Sequence, residues 1–434
     1  MRRFWIIILL VVSMIAISCS KSEDKSDKVN LLFWHSMGGP LGNSLNGLVK
    51  EFNESQDEII VNEVSIGNYT ALTQKLSASI QSGNQPDLAQ LYENTTVDYI
   101  KSGVLVPVQN FIDKDPQLSE DIEKDFYPVF ISSNTYQDKI WTFPFNKSVR
   151  VLYYNKDMFL KYGFDPNIPP KTWDDFIEFS RVISAERDDK GNPYIYITNI
   201  NSSATQLVNL ILQAGGEIFD YENNKALFNS KEGIEALRYL RGLVVDNNVA
   251  YLSKGYEGQN DFLASKVAMY EGSSVSMAFM ANDNKLKFNI GIAPIPSFRT
   301  KKNVISGTNI AIFKSDSKKE EAAWKFVKWL TDKEQTAKWS YETYYMPLRR
   351  SALQVSPLKE RLENNSNLFE VYDQLNEAAT EPSVSEWRKT RTDIEKKVLE
   401  PIYNKDKNLS DAELKALLDD VAKDMEKMIK ENKE

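Results

Sequence analysis

Residues able to do chemistry are few in this chain of 434 residues. It contains one histidine, His35, and one cysteine, Cys19. Metal sites of the usual His/Cys kinds therefore cannot be assembled, and neither can a Ser–His or Cys–His nucleophile pair with a second imidazole in support. No G-x-S-x-G elbow is present. Carboxylates remain: Glu93 with Asp98, or Asp174 with Asp175, are pairs that a glycosidase would use as acid and base. Asp174 and Asp175, however, fall at a predicted helix start, where the helix dipole favours negative charge without any catalytic role. The expectation is a protein that is not an enzyme and has neither metal nor cofactor. His35, in "NLLFWHSMGG", is read as a loop residue at the carboxyl end of the first strand, at or near a cleft, doing no acid–base chemistry.

These residues have to be positioned by secondary structure, and the pattern is legible. "VNLLFW" (29–34) is a buried strand, followed by Leu41, Leu45, Leu48, Val49 and Phe52 on one helical face. "EIIVNEVSIG" is a second strand, "YTALTQKLSASIQSG" a helix stopped by Gly83, and "PDLAQLY" a third strand. Strand and helix alternating in this way predict a parallel sheet with helices on its faces. Ligands collect at the loops leaving the carboxyl ends of such strands. Three loops qualify: His35 to Gly38, Gly67 to Tyr69, and Tyr92 to Asn94. A second α/β unit begins near Asn146, with a strand over 149–154, a helix over 156–162, and a helix opened by Thr172 with Asp175 three residues on. Later come a strand in "KFNIGIAPIPS", a helix over 317–331, and a last helix capped by Ser410 and Glu413 whose stripe runs from Leu414 to Ile429.

Residues 1–19 read as an export signal, a cationic Met1-Arg2-Arg3 followed by an apolar stretch too short for a comfortable membrane span. The polar run after Cys19 predicts a tether over 20–28, with Cys19 lipidated after cleavage, as in bacterial lipoproteins; Ala16 stands where such signals usually carry Leu. The predicted product is exported and lipid-anchored to a bacterial membrane, facing the periplasm or the exterior. With no cysteine after Cys19, stability has to come from core burial, and the 406 residues after Lys28 suit two domains. The net charge is −8, or −10 without Arg2 and Arg3, which argues against nucleic acid as a partner.

A run of motifs carries a resemblance: "FWHSMGG", "QPDLAQLYENT", "FPFNKSVRVLYYNKDMF", "PPKTWDDF", "KVAMYEGSS", "FNIGIAPIP" and "AWKFVKWLTDKEQTAKWSYETYYMPLRRSA". In this order the chain resembles the extracellular solute-binding proteins of bacterial ABC importers, the group that includes maltose-binding protein, and within it the glycerol-3-phosphate-binding members. The resemblance implies a two-lobed α/β fold, type II periplasmic-binding-protein-like, each lobe a mostly parallel sheet flanked by helices. One lobe would comprise 28–145 and 290–332, the other 146–289 and 333–434, with crossings near Phe143 to Asn146, Asn289 and Asp332. It implies a monomer that delivers a small solute to ABC permease subunits. Matching positions give Tyr69, Glu93, Ser148, Ser273, Gly307 and Tyr345 as ligand contacts. The phosphate-neutralising arginine of the relatives falls in "SVSEWRKTRTDIEKK", where Arg391 is the candidate, with Arg388 or Trp387 as alternatives because neither arginine is in strict register. The implied solute is glycerol-3-phosphate or a glycerophosphodiester, with a neutral mono- or oligosaccharide as the alternative. A surface adhesin or a glycosidase stands further off.

Overall fold

The computed structural model describes residues 28–282 and 286–432; the signal peptide, Cys19 and most of the tether lie outside them. The chain opens with β1 (Val29–His35), α1 (Gly39–Ser55), β2 (Ile59–Ser65), α2 (Tyr69–Gln81), β3 (Leu88–Leu91) and α3 (Glu93–Lys101). Local sequence explains each step. The predicted face of α1 is buried in full, Asn68 caps α2 by accepting from the Ala71 N–H at 2.9 Å, and Gly83 takes the left-handed conformation, φ +71°, just past the helix end.

Further on come β4 (Phe143–Ser148), β5 (Arg150–Asn155), α4 (Ala204–Gln213), β6 (Met269–Ser273), β7 (Ile290–Pro294), β8 (Ser306–Phe313), α5 (Trp387–Asp393) and α6 (Asp411–Glu431). Both predicted capping boxes are present, at Thr172/Asp175 and Ser410/Glu413. Among the described residues, no helix is long and apolar enough to cross a membrane.

The first sheet has six strands in the order β2-β1-β3-β8-(Leu105–Val106), with β4 on β8. β1 is parallel to β2 and to β3, as the strand–helix alternation predicts. β8 returns antiparallel to β3 and β4. In the second sheet the expected parallel arrangement gives way: β5 is flanked by β6 and β7, both antiparallel. These partners arrive from more than a hundred residues downstream, and apolar pattern alone carries no information on strand direction. A parallel pair, Thr198–Ile200 with Ala250–Leu252, lies nearby.

Only Val149 separates β4, in the first sheet, from β5, in the second. The strand Ile290–Pro294, placed by the resemblance in the first lobe, pairs with β5 instead. The chain thus regains the first sheet between Pro294 and Ser306. One core runs beneath the first sheet from Leu31 through Phe326 and takes in Trp339, Tyr345, Met346 and Val371 from the segment assigned by resemblance to the other lobe. A second core gathers Leu152, Trp173, Leu207, Trp387 and the stripe of α6.

Candidate functional site

β1 extends one residue further than its apolar run, because the Ile66 N–H donates to the His35 carbonyl at 2.7 Å and continues the ladder. His35 is therefore a strand residue and not a loop residue. It is buried, its Nε2 paired with Glu63 and its Nδ1 accepting from the Met37 N–H at 3.1 Å. Burial lowers its pKa against the opposing pull of Glu63, so at neutral pH the ring is uncharged. It is a structural element behind the sheet edge and lines neither hollow of the cleft described next.

Two of the three predicted loops do converge on a cleft. Its larger hollow, about 580 Å³, is lined on one side by Tyr69, Thr73 and Gln74 of α2 with Tyr92, Asn94 and Thr95, and on the other by Thr205, Arg388, Arg391 and Glu395, with Ser306 and Gly307 at its floor. A smaller hollow of about 90 Å³ adjoins it and adds Glu93, Glu381 and Trp387. Tyr69, Glu93, Gly307, Arg391, Arg388 and Trp387 thus come together. Ser148, Ser273 and Tyr345 stand off the lining. Ser148 is paired with Ser306 one strand back, the Ser273 carbonyl accepts from the Tyr153 hydroxyl at 2.8 Å, and Tyr345 is buried behind Asn146.

The first wall is held by a buried polar network that sequence reasoning did not single out. Asn146 Nδ2 donates to the hydroxyls of Tyr69 (2.9 Å) and Tyr345 (3.1 Å), and its Oδ1 accepts from Gln90 Nε2 (3.1 Å) and Thr308 Oγ1 (2.6 Å). All of its hydrogen-bonding capacity toward these neighbours is used, which fixes the Tyr69 ring against Tyr92 at a centroid distance of 4.8 Å. Glu93, at the first turn of α3 where the dipole favours a carboxylate, accepts at Oε1 from Lys147 Nζ (2.5 Å) and Asn309 Nδ2 (3.3 Å). Tyr92 is kept un-ionised: burial raises its pKa, Tyr69 and Glu93 add to the rise, and Arg391 opposes it. Gly307 is at φ +113°, and a Cβ there would lie 1.9 Å from the Asn146 carbonyl oxygen; only glycine lets β8 approach β4 so closely.

On the second wall, Glu381 organises three donors: the Thr205 hydroxyl (2.6 Å), the Trp387 indole N–H (2.7 Å) and Arg391 Nη1 (2.5 Å). Arg388, one helical turn before Arg391, faces the same hollow and is exposed. Directly after α5 the chain runs as a π-helix, Ile394–Leu399. Trp387 is only 2 % exposed, which leaves no open ring face for a sugar to stack on. The only signal for Asn146 and Lys147 was their place inside "FPFNKS". Among the described residues, no group of three or more His, Cys, Asp or Glu side chains is arranged to hold a metal ion.

A family model for bacterial extracellular solute-binding proteins matches residues 47–369. The chain belongs to that family. Among curated proteins it is similar to the sn-glycerol-3-phosphate-binding periplasmic protein UgpB of Shigella flexneri, 29% identical over 349 residues that make up 77% of each chain. The protein of the same name from Escherichia coli K12 is 28% identical over 349 residues. Two solved structures share the fold. The cyclic alpha-maltosyl-1,6-maltose binding protein from Arthrobacter globiformis superposes with TM-score 0.76 at 22% identity, over 92% of this chain and 99% of that one. UgpB from Mycobacterium tuberculosis, in complex with glycerophosphocholine, gives 0.75 at 18% identity over 93% and 99%. Asp174 and Asp175, the adjacent carboxylates of the glycosidase alternative, lie in the first turn of a helix in this solute-binding protein, and Asp175 caps it: Asp175 accepts from the Thr172 N–H at 2.9 Å, and that bond helps hold its pKa below the usual range.

Proposed function

We propose that this solute-binding protein captures a phosphorylated polyol, glycerol-3-phosphate or a glycerophosphodiester, and presents it to the permease of an ABC importer, without chemistry of its own. The observation that carries this reading is the pairing of unlike walls across two adjoining hollows that share Arg391. Tyr69 and Glu93 offer a phenol and a carboxylate suited to hydroxyl groups, and Arg388 and Arg391 face them with guanidinium groups suited to phosphate oxygens. The similarity to glycerol-3-phosphate-binding proteins supports it. Ser148, Ser273 and Tyr345 stay in the proposal only as contacts implied by the resemblance, since none of them lines either hollow. Tethering through Cys19, and a monomeric state, belong to the same proposal.

A neutral mono- or oligosaccharide is the second reading, favoured by the volume of the larger hollow and by neighbours such as the maltose-type binding protein. Calorimetric titration with glycerol-3-phosphate, glycerophosphocholine, maltose and simple monosaccharides separates the two. Binding of the phosphate esters alone is the expected result. Binding of neutral sugars alone would overturn it, and turnover of any of them would favour the enzyme.

A further inference from the structure

Lys147 stands one layer behind the cleft. Its side chain is fully buried, while that of its partner Glu93 is 26% exposed. Its backbone is fixed on both sides: it pairs with Gly307 across the β4–β8 ladder, and its carbonyl accepts from the Met346 N–H at 2.6 Å. The ammonium lies 2.5 Å from Glu93 Oε1, which also accepts from Asn309. Among the described residues no hydrogen bond uses Oε2, so that is the oxygen left to meet a solute. A buried ammonium is costly unless paired. Here the pair joins a wholly buried cation to the carboxylate on which a solute would rest.

Three carboxylates, Glu93, Glu381 and Glu395, and two guanidinium groups, Arg388 and Arg391, line the two hollows. The lining alone carries one excess negative charge. Lys147 cancels it. At an effective dielectric constant of about 20, an uncompensated like charge about 5 Å from a phosphate weakens binding on the order of a hundredfold.

We propose that Lys147 is the specificity-determining cation of this cleft: by neutralising Glu93 from behind, it lets a carboxylate that receives hydroxyl groups stand next to an anionic solute. The inference rests on the phosphate-ester reading above. It assigns to the buried lysine a positioning role, because it acts through Glu93 and does not touch the solute.

The test is calorimetric titration of the full chain in detergent with glycerol-3-phosphate at two NaCl concentrations. The variants are Lys147→Met, Glu93→Gln and Glu93→Gln/Lys147→Met, each checked by circular dichroism. Lys147→Met is expected to lose about a hundredfold in affinity, and the loss to shrink at high salt, which a packing role would not produce. The double variant should recover at least tenfold relative to Lys147→Met, since removing the carboxylate removes the repulsion. Glu93→Gln alone, which removes the carboxylate that the lysine acts through, should bind within threefold of the double variant; this second comparison stands even if Lys147→Met does not fold. Affinity of Lys147→Met within threefold of the parent, or a gap of tenfold or more between Glu93→Gln and the double variant, overturns the inference alone. A parent protein that binds no phosphate ester overturns the functional reading and the inference with it.

Discussion

On one wall of the cleft Asn146 is wholly buried and bonded to four side chains, and Glu93 is held by Lys147 and Asn309. On the other, Arg388 is exposed and Arg391 is held by Glu381 alone among its described ion-pair partners, with a side chain 37% exposed. The first wall grows from strand ends of a six-stranded sheet, the second from a short helix running into a π-helical segment. The contrast suggests a division of labour: a pre-organised surface that reads hydroxyl groups and a looser one whose cations settle on the solute as the cleft closes. Substitutions in the buried frame of the first wall, around Asn146 and Gly307, should then show up mainly in stability, and those on the second wall mainly in affinity.

The largest effect should come from Gly307. Alanine there puts a Cβ against the Asn146 carbonyl and strains a φ of +113°, so Gly307→Ala is expected to cost about 3 kcal/mol or more in urea unfolding. A loss below about 1 kcal/mol would show that the first wall relaxes as freely as the second. Next come the arginines. Arg391→Ala should weaken a phosphate ester about a hundredfold, close to 2.7 kcal/mol, and Arg388→Ala about tenfold, because Glu381 orients only Arg391. Neither should move the unfolding midpoint beyond that of a surface change, about 0.5 kcal/mol. Equal losses from the two variants would mean that orientation by Glu381 does not matter.

How much of this was readable beforehand follows the same division. The helical stripes, both capping boxes and the parallel start of the first sheet depend on neighbours within a few residues, and the sequence displays them directly. Tyr69, Glu93 and Gly307 stand in motifs with fixed local geometry and do come together. What escaped depends on residues far apart. The antiparallel partners of β5 and the return of Ile290–Pro294 to the second sheet are set by long-range pairing. Lys147 becomes notable only once β8 and α3 are in place around it. Arg388 and Arg391 lie one turn apart on α5 and both line the larger hollow, so spacing alone did not choose between them.

A smaller effect tests closure. The Ser385 hydroxyl, two residues before α5, reaches Asp98 Oδ1 in α3 at 3.2 Å and so ties one wall to the other. An exposed neutral–charged hydrogen bond of this kind contributes about 1 kcal/mol. Ser385→Ala should therefore weaken solute binding three- to fivefold, chiefly through faster release in stopped-flow measurements. If release is unchanged, the walls close without this contact.

The smallest effect at neutral pH belongs to His35, and its signature lies in pH instead. Burial lowers its pKa from the ordinary 6.5, so the folded chain holds a neutral ring while the unfolded chain takes up a proton at the ordinary value. This group therefore costs nothing above pH 6.5 and destabilises the fold progressively as pH falls below it, until the folded ring also titrates. Glu63 is burdened by its own burial, but bonds from Asn46 and His35 outweigh that and leave its pKa below 4.5; its contribution is present above pH 4.5 and is lost only beneath it. Between pH 6.5 and 4.5 the histidine term is thus separable from that of its partner. His35→Gln keeps an N–H donor for Glu63 and should lie within about 1 kcal/mol of the parent at pH 7, with solute affinity changed by no more than a small factor. Its urea midpoint should fall less steeply than the parent's from pH 6.5 to 4.5. Parallel curves would mean that His35 is as free to protonate in the folded chain as in the unfolded one, and that the strand end beneath the first wall is more open to water than its burial indicates.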